Sequence, residues 1–172
     1  MAIITENGTG LSTAETLVSV AECSAYHLAR GNSNWATITT AQMEEALRRA
    51  SDYMLQVYSL KWLGYRKNST QALDWPRYNV PDLRGGYRTS PNYDSDSVPQ
   101  LVKNAACELA FKAAGGELAP DVTQSIVSEK VDVLEVTYDR NSPQYARYRA
   151  IDNLLAPFLS ITGSTMRETV RT

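Results

Sequence analysis

Histidine and cysteine are scarce in this chain: one histidine and two cysteines, Cys23 and Cys107, in 172 residues. That scarcity removes whole classes of chemistry. A structural or catalytic zinc site takes three or four ligands, usually with several from Cys and His. Here only Cys23 and His27 stand at a spacing that shares a helix face. A Ser-His-Asp or Cys-His arrangement would have to use the same His27, and nothing marks it. No G-x-G-x-x-G, phosphate-binding loop or G-x-S-x-G is present. Two cysteines make no disulfide framework, and both lie among apolar neighbours in expected helices, as small buried residues do. Long apolar runs are missing as well, so no segment is expected to span a membrane. The opening MAIITENGTG has neither a basic n-region nor an apolar stretch, so it does not read as a secretory signal. These absences lead us to expect a soluble intracellular protein with no catalytic residue, metal or cofactor. The acid pairs that exist read as structural. Glu44-Glu45 lies on a solvated helix face, and Asp94 and Asp96 precede a helix N-terminus, where acids favour the helix dipole.

What is present suits a globular domain. Apolar residues make up 43% and charged residues 21% of the chain, inside the range of folded proteins. A chain of this length buries about 70% of its unfolded surface, enough for its own core. Net charge is only −2, but it is unevenly distributed. Residues 1–60 and 93–141 are rich in acids, whereas 61–92 and 142–172 are rich in bases. Such alternation serves subunit contacts or a local nucleic-acid surface, and ordinary surface variation also produces it.

The expected architecture is mainly α: a small four-helix bundle with a β-hairpin, a long Pro/Gly-rich loop and extended arms at both ends. Residues 1–172 form one domain in this reading. It comprises an N-terminal arm (1–14), a helical core (15–159) and a C-terminal tail (160–172). TLVSV at 16–20 has the β-branched content of a short strand. Ser19 and Glu22 form a capping box for a helix from about Val20 to Arg30, ended by Gly31-Asn32. Its apolar stripe is Val20, Cys23, His27 and Leu28. Thr39 and Gln42 form a second box, opening a long helix with Met43, Ala46, Leu47, Ala50, Tyr53, Met54 and Val57 on one face. Glu44 and Glu45 stand four residues before Arg48 and Arg49, the favourable order. Ser97, Pro99 and Gln100 predict a third start, for a helix ending at Gly115-Gly116. Residues 125–139 read as β, either a hairpin turning near Val131-Asp132 or one bent strand. Ser142-Pro143 starts a last helix with Tyr145, Tyr148, Ile151, Leu154, Leu155 and Phe158 inward.

The loop at 65–96 holds the remaining constellation. Its stretch QALDWPRYNVPDLRGGYR lacks regular periodicity yet carries Trp75, and a compact domain rarely keeps a long idle loop. Lys61, Arg66, Lys67, Arg77, Arg84 and Arg88 interleave with Trp62, Tyr65, Trp75, Tyr78 and Tyr87. Bases with stacking aromatics build single-stranded nucleic-acid grooves. The same residue types are enriched at protein interfaces, and spacing alone does not separate the two. We expect Trp75-Pro76 to be a hinge packed on the bundle, from which residues 78–96 project.

Several segments in order carry a family resemblance: VSVAECSAYHLARGNSNW, ALRRASDYMLQVYSLKWLGYR, QALDWPR, VPQLVKNAACELAFKAA and SEKVDVLEVTYD. Over roughly residues 15–160 the chain resembles tailed-bacteriophage proteins described either as head–tail adaptors or as DnaT-like single-stranded-DNA-binding proteins. The resemblance implies a head-completion adaptor in the virion neck, made in the host cytoplasm. Such an adaptor forms a ring, usually of twelve copies, beneath the portal protein. The ring extends the channel for packaged DNA, without sequence-specific contact, and docks a tail, nozzle or stopper protein. By analogy the tail supplies portal contacts at Ser160, Ile161, Met166, Arg167, Val170 and Arg171. The loop supplies ring or tail contacts at Trp75, Pro76, Arg77, Tyr78, Arg84, Tyr87 and Arg88. The alternative is a DnaT-like single-stranded-DNA-binding protein, and a third reading is a hydrolase acting on cell wall.

Overall fold

The computed structural model describes residues 3–82, 92–120, 128–131, 134–137 and 148–160, the two short stretches 128–131 and 134–137 as backbone only. It is mainly helical. Among the described residues the helices are α1 (Val20–Leu28), α2 (Ser33–Thr37), α3 (Thr40–Tyr58), α4 (Gln100–Gly115) and α5 (Arg149–Leu155). A 3₁₀ turn, Ala156–Phe158, follows α5. Strands β1 (Tyr65–Arg66) and β2 (Arg77–Tyr78) pair antiparallel, as do β3 (Ser128–Val131) and β4 (Leu134–Thr137). The bent-strand alternative for 125–139 is therefore replaced by a hairpin, with Val131 opposite Leu134. The reading's outer residues 125–127 and 138–139 lie outside the described residues.

Two of the three predicted capping boxes form. The Ser19 hydroxyl accepts from the Glu22 N–H while the Glu22 carboxylate accepts from the Ser19 N–H. Thr39 and Gln42 do the same for α3. Glu22 also ties α1 to α4, accepting from Lys103 Nζ at 2.8 Å. Burial pushes the Glu22 carboxyl up, but the bonds from Lys103 and Ser19 more than offset it and leave its pKa at about 2. This link persists until strongly acid pH, because a depressed carboxyl pKa adds stability above its unfolded value and loses it toward its folded one.

The core lies between α3 and α4, the most extensively packed pair. Ala46, Leu47 and Ala50 of α3 and Val102, Ala105, Leu109 and Ala110 of α4 are buried. Small residues let the two backbones approach closely. Ile151, Leu155 and Phe158 close one side of this core.

Five expectations are corrected. The third box does not form: α4 begins at Gln100 with Pro99 as its cap and no side-chain cap bond. The Pro99 carbonyl starts the helix instead, accepting from Val102 and Lys103 N–H. TLVSV is not a strand, because Ser19 already caps α1; only a single bridge, Thr5 to Thr16, remains. Leu28 is 80% exposed, since α1 ends there and Gly31 turns the chain with φ +70°. The segment GNSNWATI, to which the sequence assigns no element, contains α2 and buries Trp35. The N-terminal arm is not extended over its described part. The buried Glu6 carboxylate accepts from the N–H groups of Gly8, Gly10 and Leu11, each at 2.9 Å. Gly8 and Gly10 reach that geometry with positive φ, which costs glycine little. A Cβ on Gly8 would meet the Asp96 carbonyl oxygen at 1.9 Å, so the arm is seated against the end of the long loop. The last helix begins not at Ser142-Pro143 but at Arg149, with non-helical Tyr148 as its cap; Ser142, Pro143, Tyr145 and the tail 161–172 lie outside the described residues.

Trp75 is fully buried. Its ring meets Trp62 and Phe158 edge-on, with centroids at 5.7 and 5.5 Å. Trp75→Ala is expected to lower unfolding free energy by about 3–5 kcal/mol. Urea denaturation checks this, and a near-neutral effect would show that the anchor lies elsewhere.

A candidate nucleic-acid interface

The segment Asp74–Arg77 is buried along its length, which divides the basic-aromatic set into two groups. One group is architecture. Trp62 Nε1 donates to Asp74 Oδ2 at 3.1 Å, and Ser59 Oγ donates to Oδ1 at 3.1 Å. The Arg77 guanidinium donates to the carbonyls of Leu63 (2.8 Å), Gly64 (2.9 Å) and Asp74 (3.1 Å). Burial pulls the Arg77 pKa down while Asp74 opposes the shift. An arginine tied to three carbonyls holds turns together and has little left to offer a phosphate. Gln71, also buried, donates to the carbonyls of Leu73 and Pro76. Arg66 donates to the Gln71 carbonyl, and Lys67 pairs with Asp96.

The second group faces outward. The register places Tyr65 directly opposite Tyr78, so both rings stand on one face of the β1–β2 ribbon. Their centroids are 5.7 Å apart at an interplanar angle of 48°. Tyr65 is 55% exposed and Tyr78 is half-buried. Beyond them Asn79 takes φ +56° and donates from Nδ2 to the Tyr65 hydroxyl at 3.4 Å. Lys61, just before this ribbon, is exposed. The chain continues to Val80, whose carbonyl accepts from Tyr93 N–H, and Pro81 pairs with Asn92. Arg84, Tyr87 and Arg88 lie outside the described residues.

The structure also joins two candidate regions that the sequence keeps apart. Trp62 bridges Leu159 antiparallel, and Ser160 N–H donates to the Lys61 carbonyl at 2.7 Å. The base of the C-terminal tail thus sits beside the start of the loop, and the two base-rich segments meet there. Of the tail candidates Ser160 is placed here; Ile161, Met166, Arg167, Val170 and Arg171 lie outside the described residues. The Tyr65–Tyr78 pair was legible only as part of a list of aromatics. A short register between two dipeptide strands selects it, and no sequence period announces so small a ribbon.

His27 and Cys23 take structural roles. A carbonyl only accepts, so His27 Nε2–H donates to Cys107 O at 3.0 Å, and Nδ1 accepts from Asn32 Nδ2 at 3.0 Å. Both ring nitrogens are thus committed. The Cys107 thiol beside Cys23, together with burial, pushes the Cys23 thiol far up. Among the described residues no group of three or more His, Cys, Asp or Glu could hold a metal.

A small helical domain carrying an outward aromatic pair and a junction of basic segments is the class these features define. A family model with the description "Putative DnaT-like ssDNA binding protein" matches residues 1–172. The chain belongs to that family. Neither a curated protein nor a solved structure matches it.

Burial lowers the pKa of His27, outweighing the opposing Cys107 carbonyl and Glu108. The neutral ring is favoured in the folded state, so its contribution is complete above the unfolded value of about 6.5 and declines as pH falls below it. NMR titration of this single histidine is expected to give a midpoint below about 6.5. A midpoint above that value would contradict the dominance of burial over the Cys107 carbonyl and Glu108.

Proposed function

We propose that this chain binds single-stranded DNA without strong sequence preference. The observation that carries the reading is family membership across the whole chain. Three features support it: the exposed Tyr65–Tyr78 pair, the exposed Lys61, and the meeting of the two base-rich segments at Trp62 and Leu159. Aromatic faces stack on any base, and cations track the backbone. A labelled oligothymidylate, titrated at two salt concentrations, is expected to bind with micromolar or tighter affinity that falls steeply with salt. Weak or salt-insensitive binding removes the reading.

A second reading is favoured by a separate observation. Trp75 and Arg77 are consumed by the fold, so much of the loop acts as scaffold and a stacking groove cannot use them. This suits a structural head–tail adaptor in a phage neck: a ring, usually of twelve copies, beneath the portal, extending the DNA channel and docking the next tail component. Alternating acidic and basic segments fit a head-to-tail interface, in which one face of a copy meets a different face of the next. The two readings differ in the strand they meet. A channel carries duplex DNA, whose bases are already stacked, so excess duplex should compete poorly for a single-strand site and equally for a merely basic wall. In the adaptor reading, particles made without the protein lose packaged DNA or fail to join tails. Particles that keep their DNA and join tails normally would contradict it.

A further inference from the structure

We infer that the outer face of the β1–β2 ribbon, with Tyr65 and Tyr78 as its stacking surface and Lys61 as its phosphate contact, is where single-stranded nucleic acid engages this chain. The inference rests on the proposed single-strand binding and adds the place and the residues.

Three observations select this face. First, among the aromatics of the loop region, Trp62 and Trp75 are buried and cannot receive a base. Tyr65 is the most exposed aromatic side chain among the described residues, and its neighbour across the ribbon is Tyr78. Second, the pair is held in place from behind. Arg77, on the strand residue next to Tyr78, is fixed by the carbonyls of Leu63, Gly64 and Asp74. A Cβ on Gly64 would meet the Tyr78 carbonyl oxygen at 2.1 Å, so the turn into β1 presses directly on β2. A rigid platform loses little entropy when a base lands on it. Third, the sign of charge fits a polyanion. Lys61 is exposed in the turn leading to the ribbon; its carbonyl holds Ser160, and its ammonium lies 5.5 Å from the Tyr58 ring centroid, a loose contact that leaves its N–H donors to a phosphate. A base stacks on the exposed Tyr65 face, while the ammonium meets a phosphate.

The test uses the full chain and a fluorescently labelled oligothymidylate, read by anisotropy at two salt concentrations. Tyr65→Ala and Tyr78→Ala are each expected to weaken binding roughly 5- to 100-fold, the range of one lost base–aromatic stack. Their salt slopes should stay unchanged, because no phosphate contact is removed. Tyr65→Phe should bind like the parent, since the ring does the stacking. Lys61→Gln should lower the slope by about one unit with a smaller loss of affinity at high salt. Tyr65 is exposed, so its variant keeps the fold even if Tyr78→Ala does not, and thermal midpoints check this. If the parent chain binds no single strand, the functional reading itself fails. If the parent binds and Tyr65→Ala binds equally well, the strand lies elsewhere and this inference is overturned.

Discussion

The rest of the structure depends on the burial of one tetrapeptide, Asp74-Trp75-Pro76-Arg77. Trp75 supplies apolar area between Trp62 and Phe158. Asp74 and Arg77 supply the polar bonds that let the backbone around it enter the core: Asp74 accepts from Ser59 and Trp62, and Arg77 caps the carbonyls of the preceding turn. A buried carboxylate or guanidinium is costly unless its bonds are met, and here they are met by groups that must themselves be fixed. The end of α3, the loop and the last helical turn are therefore positioned together.

That arrangement explains why the molecule separates its aromatics. β1 and β2 are only two residues each, and such a pair is marginal alone. Its inner side is anchored by Arg77, so its outer side can carry Tyr65 and Tyr78 without needing them for the core. The same anchor fixes Phe158, and through Trp62 and Leu159 the base of the C-terminal tail. Leu159 and Ser160 are thereby joined to the start of the base-rich loop at Lys61 and Trp62.

What the sequence disclosed followed the range of the interactions. The boxes at Ser19–Glu22 and Thr39–Gln42 are local, spanning three residues, and both were legible. The apolar face of α3 was legible for the same reason. The Ser97–Gln100 pattern misled because the cap lies two residues on, at Pro99, which has no side-chain acceptor. Glu6 was missed although its signal is short: an acid followed by glycines two and four residues later, able to wrap a carboxylate with N–H groups. Trp75 is buried, as the packed hinge requires, whereas Arg77, expected among the contact residues, is tied to three carbonyls. The division between Trp75 and Tyr65 depends on β1–β2 register, and the meeting of basic segments depends on a bridge from Trp62 to Leu159. Neither leaves a periodic trace in the chain.

The fold separates a buried anchor, Trp75, from an exposed platform, and ultraviolet cross-linking distinguishes them most directly. Irradiating the chain with a bound oligothymidylate and mapping modified peptides by mass spectrometry should place cross-links at Tyr65 and Tyr78 and leave Trp75 unmodified. Cross-links at Trp75, or on helices α1 and α2 with none on the ribbon, would contradict it.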